Sequence, residues 1–309
     1  MRLSLIVVIA AMSVALPCFG QSWSWGPPRG ETNVDVTYQG SFINKHYYDT
    51  REVDAGHIRA HALRMDVGHG VTNRLAVGFS IPYIVSRYKG AHPEQLPGDD
   101  GNFHGTFQDY RIDASYQVLN RPFAVTPFAT IVIPSRDYPY LGHSAAGRDL
   151  REVLVGVAGG YSLERFLPNA FIQSRSYYTF SPRVLGIPHD RVNVDTQVGY
   201  FVRPTIAFHT LTLYQHTYHG LSDAQFVEAA KNEDFILVSH HDQIYASDYL
   251  NFGGGTSFTL RGSTAISLGY VRTLWGRDGH KLDHSILAGI GWNYSAAQLL
   301  RRLTGKTSP

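Results

Sequence analysis

The stretch Arg74-Leu75-Ala76-Val77-Gly78-Phe79-Ser80-Ile81-Pro82-Tyr83-Ile84-Val85-Ser86-Arg87 puts Leu75, Val77, Phe79, Ile81, Tyr83 and Val85 on one face, and Ala76, Gly78 and Ser80 on the other. A period of two marks a strand with one apolar and one polar or small face. The pattern recurs. In 109–118, Tyr110, Ile112, Ala114, Tyr116 and Val118 oppose Asp109, Arg111, Asp113, Ser115 and Gln117. In 192–200, Val192, Val194, Thr196, Val198 and Tyr200 oppose Asn193, Asp195, Gln197 and Gly199. In 285–294, Ile286, Ala288, Ile290, Trp292 and Tyr294 oppose Ser285, Gly289, Gly291 and Asn293. Helical periodicity is nearly absent. Working outward, strands are expected near 32–44, 57–68, 74–88, 106–119, 123–134, 151–162, 169–180, 191–202, 205–217, 241–258, 261–273 and 282–294. In 57–68 the apolar face changes midway, which a bulge near Ala62 would reconcile.

The connections alternate in length. Those at 68–73, 120–122, 163–168, 203–204 and 259–261 are short; those at 45–56, 89–105, 135–150, 181–190, 218–240 and 274–281 are longer and polar. Short turns on one rim and long loops on the other imply a twelve-stranded antiparallel transmembrane β-barrel of the bacterial outer membrane, with short periplasmic turns and longer extracellular loops. The alternative is a soluble β-sandwich or lipocalin-like barrel, whose outer face should carry Lys and Glu. Here the polar faces are Asp, Asn, Gln, Ser and Gly. Tyr83, Tyr88, Tyr116, Tyr161, Tyr178, Tyr200, Tyr214 and Trp292 fall near strand ends, where an aromatic girdle belongs.

Composition narrows the classes further. Of 309 residues 43% are hydrophobic and 17% charged, too apolar and too weakly charged for disorder. A net charge of +2 argues against a nucleic-acid binder, which should carry a basic face or block. A mean hydropathy of −0.17 excludes a helical polytopic membrane protein. At the start, Met1-Arg2, the apolar run 3–16 and Cys18-Phe19-Gly20 read as a secretory signal peptide over 1–20, cleaved before Gln21. The run is shorter than the roughly 20 residues that span a bilayer, and Pro17 sits where a lipoprotein signal at Cys18 wants a small residue. The expected organisation is then a periplasmic lead-in at 21–31, the barrel at 32–294 and a periplasmic tail at 295–309. For Trp23-Ser24-Trp25-Gly26-Pro27-Pro28 the alternative is a plug in the lumen. In the tail, Leu299, Leu300 and Leu303 beside Arg301, Arg302 and Lys306 fit either a short amphipathic turn or a frayed end.

A charge on the lipid face costs about 2–4 kcal/mol at mid-membrane. Alternation therefore assigns Asp35, Arg59, Arg64, Asp66, Asp109, Arg111, Asp113, Arg175 and Asp195 to the lumen, as the lining of a narrow conduit or as a packed electrostatic plug. Twelve of the 15 histidines (46, 57, 92, 104, 143, 189, 216, 219, 240, 241, 280 and 284) lie on the long-loop rim. His143, His219, His240, His241 and His280 are assigned to the extracellular mouth. They suit a metal-binding or pH-sensitive mouth, or simply a solvated rim; without ligand spacing no metal or other cofactor is assigned. Enzyme motifs (a P-loop, G-x-S-x-G, paired Cys, H-E-x-x-H) are missing. The pairs His143-Ser144 and His284-Ser285 and the run Ser239-His240-His241-Asp242 are the candidates for a hydrolase, but neighbours on a strand face opposite sides.

Several fragments carry a family resemblance. Gly70-Val71-Thr72-Asn73-Arg74-Leu75-Ala76-Val77-Gly78-Phe79-Ser80-Ile81-Pro82-Tyr83 resembles the second hairpin of the outer-membrane proteins named for the meta-pathway of phenol degradation. So do Phe107-Gln108-Asp109-Tyr110-Arg111, Thr126-Pro127-Phe128 with Ile133-Pro134, and Gly279-His280, Asp283 and Gly289-Ile290-Gly291-Trp292 near the end. The fragments run in order over most of the chain. One departure is that fifteen residues, Ser295 to Pro309, follow the last strand. The resemblance implies a transporter-like outer-membrane barrel for hydrophobic or aromatic compounds and supplies no catalytic residues. The expected function is passive passage or uptake of small molecules. A non-conducting structural or surface-binding barrel is the alternative, and an outer-membrane hydrolase comes third. Expected partners are outer-membrane lipid and lipopolysaccharide, the barrel-assembly machinery and a small-molecule solute, with no nucleic acid.

Overall fold

The computed structural model describes residues 22–90, 98–260 and 264–295. The proposed signal peptide, His92 and the tail after Ser295 lie outside the described residues. The strands are β1 (Glu31–Tyr48), β2 (Arg51–Gly70), β3 (Leu75–Lys89), β4 (His104–Phe107), β5 (Tyr110–Tyr116), β6 (Phe123–Ile133), β7 (Glu152–Ser162), β8 (Ala170–Phe180), β9 (Arg191–Arg203), β10 (Ile206–Thr217), β11 (Asp248–Thr259), β12 (Thr264–Arg277) and β13 (Gly279–Ser295). Except that β4 and β5 do not pair with each other, each strand pairs antiparallel with its sequence neighbours, and β13 closes the ring on β1. β4 and β5 both pair with β3, so they are two halves of one wall strand broken at Gln108-Asp109. The wall therefore has twelve strands. Thr106 and Gln108 are buried while Asp109 and Arg111 share the next inward parity, so the break acts as a bulge that turns two neighbouring side chains into the lumen.

Alternation decides what each face meets. Leu63, Met65, Val77, Phe79, Ile112, Ile131, Val153, Val155, Val157, Phe208, Leu268 and Ile286 point outward and are 38–55% exposed. These form an apolar belt that only lipid can cover. Among the described residues no helix is long and apolar enough to cross a membrane; the strands make the crossing.

All twelve expected strands are present, with four corrections. The segments 45–56 and 274–281 are not loops. β1 and β2 continue to a tight turn at Asp49-Thr50, and β12 and β13 to one at Asp278. Asp49 and Asp278 take the left-handed conformation there (φ +51° and +46°), which Asp tolerates better than most residues. Glu52 receives both Lys45 (2.8 Å) and Lys281, tying the extended hairpins together. Residues 241–247 are not strand. His241–Ile244 is α3, which follows α1 (Asp223–Lys231) and α2 (Phe235–Ser239) in the longest loop. There is no bulge at Ala62. β2 pairs with β3 without a shift, and the irregularity sits on β1 between Ile43 and Lys45. The apolar switch in β2 has another cause: Ile58 packs inward with Ile43 and Tyr88, whereas Leu63 and Met65 meet lipid. Finally, Tyr88 is no girdle residue; it is 3% exposed and faces the lumen.

Candidate functional site

The lumen is the candidate site, and it is occupied from both ends. At the short-turn rim, residues 22–28 fold into the barrel. The Trp23 N–H donates to Gln173 Oε1 (3.0 Å). The Ser24 carbonyl accepts from Thr126 Oγ1 (2.8 Å) and Gln117 Nε2 (3.3 Å). The Arg175 guanidinium lies 4.8 Å from the centre of the Trp23 ring, a cation–π contact. Gly160 makes the seat: a Cβ there would stand 2.5 Å from the Trp25 ring and 2.7 Å from Ser24 Cβ. Of the two sequence alternatives for this segment, insertion is the one observed.

Above the lead-in, Trp23 packs on an inward-facing apolar cluster of Leu211, Leu213, Tyr249, Val271 and Leu287. Beside it is a cavity of ≈ 20 Å³ with a mixed lining, Gln39, Ser41, Asn251, Thr273 and His280 facing Ile43, Tyr249 and Leu282, room for about one water. Charges are paired around this apolar centre. Arg175 Nε meets Asp195 Oδ2 at 2.8 Å, and Arg64 Nε meets Asp66 Oδ2 at 2.7 Å.

At the long-loop rim two loops fill the mouth. Loop 134–151 is pinned by Tyr138, whose hydroxyl donates to Asp109 Oδ1 (2.6 Å) and accepts from the Asp149 N–H (2.9 Å). Arg148 pairs with Glu152 (3.1 Å), which also holds Arg191 (2.7 Å). Loop 218–247 is bound to loop 134–151 through Arg148 and Gln243: each side chain donates to the other's backbone carbonyl. Leu221, Phe226, Ile244 and Tyr245 form an apolar lid with Tyr48. Beneath it, His46, His143, His241 and His280 are each 0–4% exposed. His46 and His280 are paired across β1 and β13, with ring centres 5.1 Å apart. His143 stacks on Tyr88 at 4.1 Å and shares a hydrogen bond with Asp99 through Nδ1 (3.1 Å). Burial and the Arg148 charge pull nearby His189 down to about 4. Burial and the neighbouring Asp223 carboxylate push Asp278, at the outer turn, up to about 6.

Of the nine residues assigned to the lumen, Asp35, Arg64, Asp66, Asp109, Arg111, Asp113, Arg175 and Asp195 carry inward parity. Arg59 does not. It is paired with Phe42 and Arg87 and shares the outward parity of Leu63 and Met65. The expected bulge at Ala62 would have turned it inward; the real irregularity, at Asn44 on the facing strand, leaves it outside. The mouth histidines divide. His143, His241 and His280 are buried, so a solvated rim does not describe them, while His219 is exposed in a turn and His240 lies against Tyr140 (6.2 Å). Sequence reasoning missed His46 and Glu152 as members of the lumenal network. Among the described residues no three His, Cys, Asp or Glu side chains stand where they could share a metal ion. In the hydrolase candidate His143-Ser144, both side chains bond to Asp99, Ser144 Oγ at 2.8 Å, rather than to each other.

No family model matches the chain. No curated protein matches it either. Solved structures do. An outer-membrane channel from Pseudomonas putida F1 superimposes with a TM-score of 0.67 at 12% identity, over 89% of this chain and 99% of that one. Looser similarity extends to the NanC porin (TM-score 0.47, 11% identity, 84% of this chain and 97% of that one). The beta domain of the Bordetella autotransporter BrkA is comparable (TM-score 0.48, 10% identity, 86% and 100%). At such identities the likeness concerns the fold alone. The first superposition, the apolar belt and the closed antiparallel topology agree on a transmembrane β-barrel of the bacterial outer membrane.

Proposed function

We propose that this barrel mediates passive passage of small apolar or aromatic molecules across the outer membrane. The observation that carries the reading is the inward apolar cluster of Leu211, Leu213, Tyr249, Val271 and Leu287, set among the polar and charged side chains of the lumen and packed by Trp23. An aqueous pore has no use for such a wall, whereas an apolar solute gains about 25 cal/mol per Å² of its surface buried there. The occluding pieces are a chain end and two loops, all able to move without breaking the wall ladders. The motif resemblance to the phenol meta-pathway proteins points to the same solute class. In this reading the leader at 1–20 is removed, the wall at 32–294 is inserted by the barrel-assembly machinery, and the segment from 295 stays periplasmic. The eight inward charges set selectivity.

The test is uptake of radiolabelled small phenols and of sugars of equal size into liposomes carrying the full-length barrel, with conductance recorded in planar bilayers. Faster passage of the phenols supports the proposal. Passage of neither, with no conductance, favours the second reading, a non-conducting surface-binding barrel, which the occlusion at both rims supports. Ester hydrolysis in mixed micelles would favour the hydrolase.

A further inference from the structure

Two arginines face each other on the outer wall. Arg59 of β2 and Arg87 of β3 are directly opposed, and the next outward pair toward the mouth is His57 with Lys89. Like charges directly opposite each other on a sheet destabilise it. The same positions could have been apolar, since Leu63 and Tyr83, two outward pairs below, belong to the belt.

The arginines are held in place rather than left to wander. Arg59 lies 5.0 Å from the centre of the Phe42 ring, and Arg87 lies 4.5 Å from that of Phe103. Stacking on an aromatic face leaves the guanidinium edges open to oxygen acceptors; Arg59 Nη1 already donates to Asn44 Oδ1 and to the Ile58 carbonyl (2.9 Å), so an oxyanion would take its Nε–Nη2 edge. The irregularity of β1 aims Asn44 at the group: Asn44 Oδ1 accepts from Arg59 Nη1 (2.8 Å) and stands 2.7 Å from His57 Nδ1. Asp283 is the carboxylate that acts on Arg59, and it already accepts from the Asn44 backbone N–H (2.7 Å). Among the described residues the block therefore keeps an excess of positive charge.

Height fixes the partner. Arg59 is four residues above Leu63. At about 3.3 Å per residue on a strand tilted about 40°, that is roughly 10 Å above a belt residue, the depth at which hydrocarbon gives way to headgroups. The rim is the long-loop, outward one, so the leaflet is the outer leaflet. We infer that Arg59 and Arg87, with Lys89 and His57 above them, form a docking site for the phosphate of an outer-leaflet glycolipid headgroup, its acyl chains lying on Leu63, Tyr83 and Phe107. The inference rests on the membrane reading of the wall but not on transport.

The test uses the full-length barrel in phosphatidylcholine nanodiscs doped with lipopolysaccharide, either intact or stripped of its lipid phosphates by phosphatase. Bound glycolipid is counted by native mass spectrometry. Intact lipopolysaccharide is expected to bind at least about tenfold more tightly than the stripped form, as charge-assisted bidentate bonds require. Arg59→Gln with Arg87→Gln should abolish the difference, Arg59→Lys with Arg87→Lys should keep part of it, and Arg121→Gln on the opposite rim should leave it whole. Equal binding of both forms, or an undiminished difference in the double Gln variant, overturns the proposal. Displacement of the glycolipid by millimolar inorganic phosphate would assign the site to free phosphate and overturn it as well. Heat-modifiable gel migration reports barrel insertion separately, so failure of the membrane reading shows there.

Discussion

Replacing Gly160 by Val tests what the lead-in does. The new Cβ would stand 2.5 Å from the Trp25 ring and 2.7 Å from Ser24 Cβ, where carbon atoms pack at about 3.5–4.0 Å. Overpacking of this kind costs about 1–3 kcal/mol, and here the strain falls on a segment outside the wall strands, which can leave its seat. Leaving forfeits the bonds from Thr126 and Gln117 to the Ser24 carbonyl and the Trp23 N–H bond to Gln173, each worth about 1 kcal/mol net. The overlap should therefore raise the fraction of empty seats about 5- to 150-fold. Acrylamide quenching of tryptophan emission reads this directly. Trp23 and Trp25 become accessible on leaving, while Trp275 and Trp292 belong to the wall. Conductance in planar bilayers should rise in parallel. Gly159→Val is the control, since on the lipid face its Cβ would meet nothing nearer than 3.9 Å. If Gly160→Val folds, shown by its gel shift, yet neither quenching nor conductance moves, the lead-in is not what closes this rim.

Val157 sits at the centre of the 11-residue β7 and is 44% exposed to lipid; Val157→Arg should cost about 2–4 kcal/mol and lower the yield of heat-modifiable barrel. Arg175→Ala strands Asp195, which is 4% exposed, and should destabilise the barrel by about 3 kcal/mol in urea titrations; loss below 0.5 kcal/mol would mean that water reaches this carboxylate. His189 stays neutral down to about 4 in the folded chain against 6.5 unfolded, so the unfolded state takes the proton first and stability should fall as pH drops from 6.5 to 4. His189→Gln should flatten that slope in pH-dependent melts. Asp278, raised from 3.8 to about 6, works the other way: its folded form protonates first, and Asp278→Asn should stabilise the mouth above pH 6 and change little below pH 4.

The wall was legible because one rule governs it. A barrel strand between lipid and lumen must alternate, and that signal survives in Leu75 to Val85 and Tyr110 to Val118 without any knowledge of partners. Parity failed only where an irregularity had to be located. The switch from Ile58 and Ala60 to Leu63 and Met65 suggested a bulge in β2, but the same switch arises when a strand leaves the membrane and packs its upper inner face against neighbours. Arg59 was misplaced by that step alone.

What fills the lumen was less legible, because a loop's direction depends on partners far away in sequence. Tyr138 goes inward to reach Asp109, and Arg148 to reach Glu152 and Gln243. A signal was available: 135–150, read as a polar loop, contains Tyr138, Tyr140, Leu141, Ala145, Ala146 and Leu150, more apolar surface than a loop in water would keep. The buried histidines could not be separated from exposed ones, since His143 and His219 look alike until Tyr88 and Asp99 are placed beside one of them.

The seam between β1 and β13 has a consequence for biogenesis. This ladder runs from Glu31 opposite Ser295 to Tyr47 opposite Gly279, among the longest in the wall and the one joining segments most remote in sequence. The ring can therefore close only once the last strand has been delivered. A chain cut short anywhere before β13 would keep the first strand's backbone donors and acceptors unsatisfied along a flat edge, an invitation to pair with another molecule. Any unfinished copy thereby carries an open edge that a finished one lacks, and completeness is written into the order in which the ring is joined.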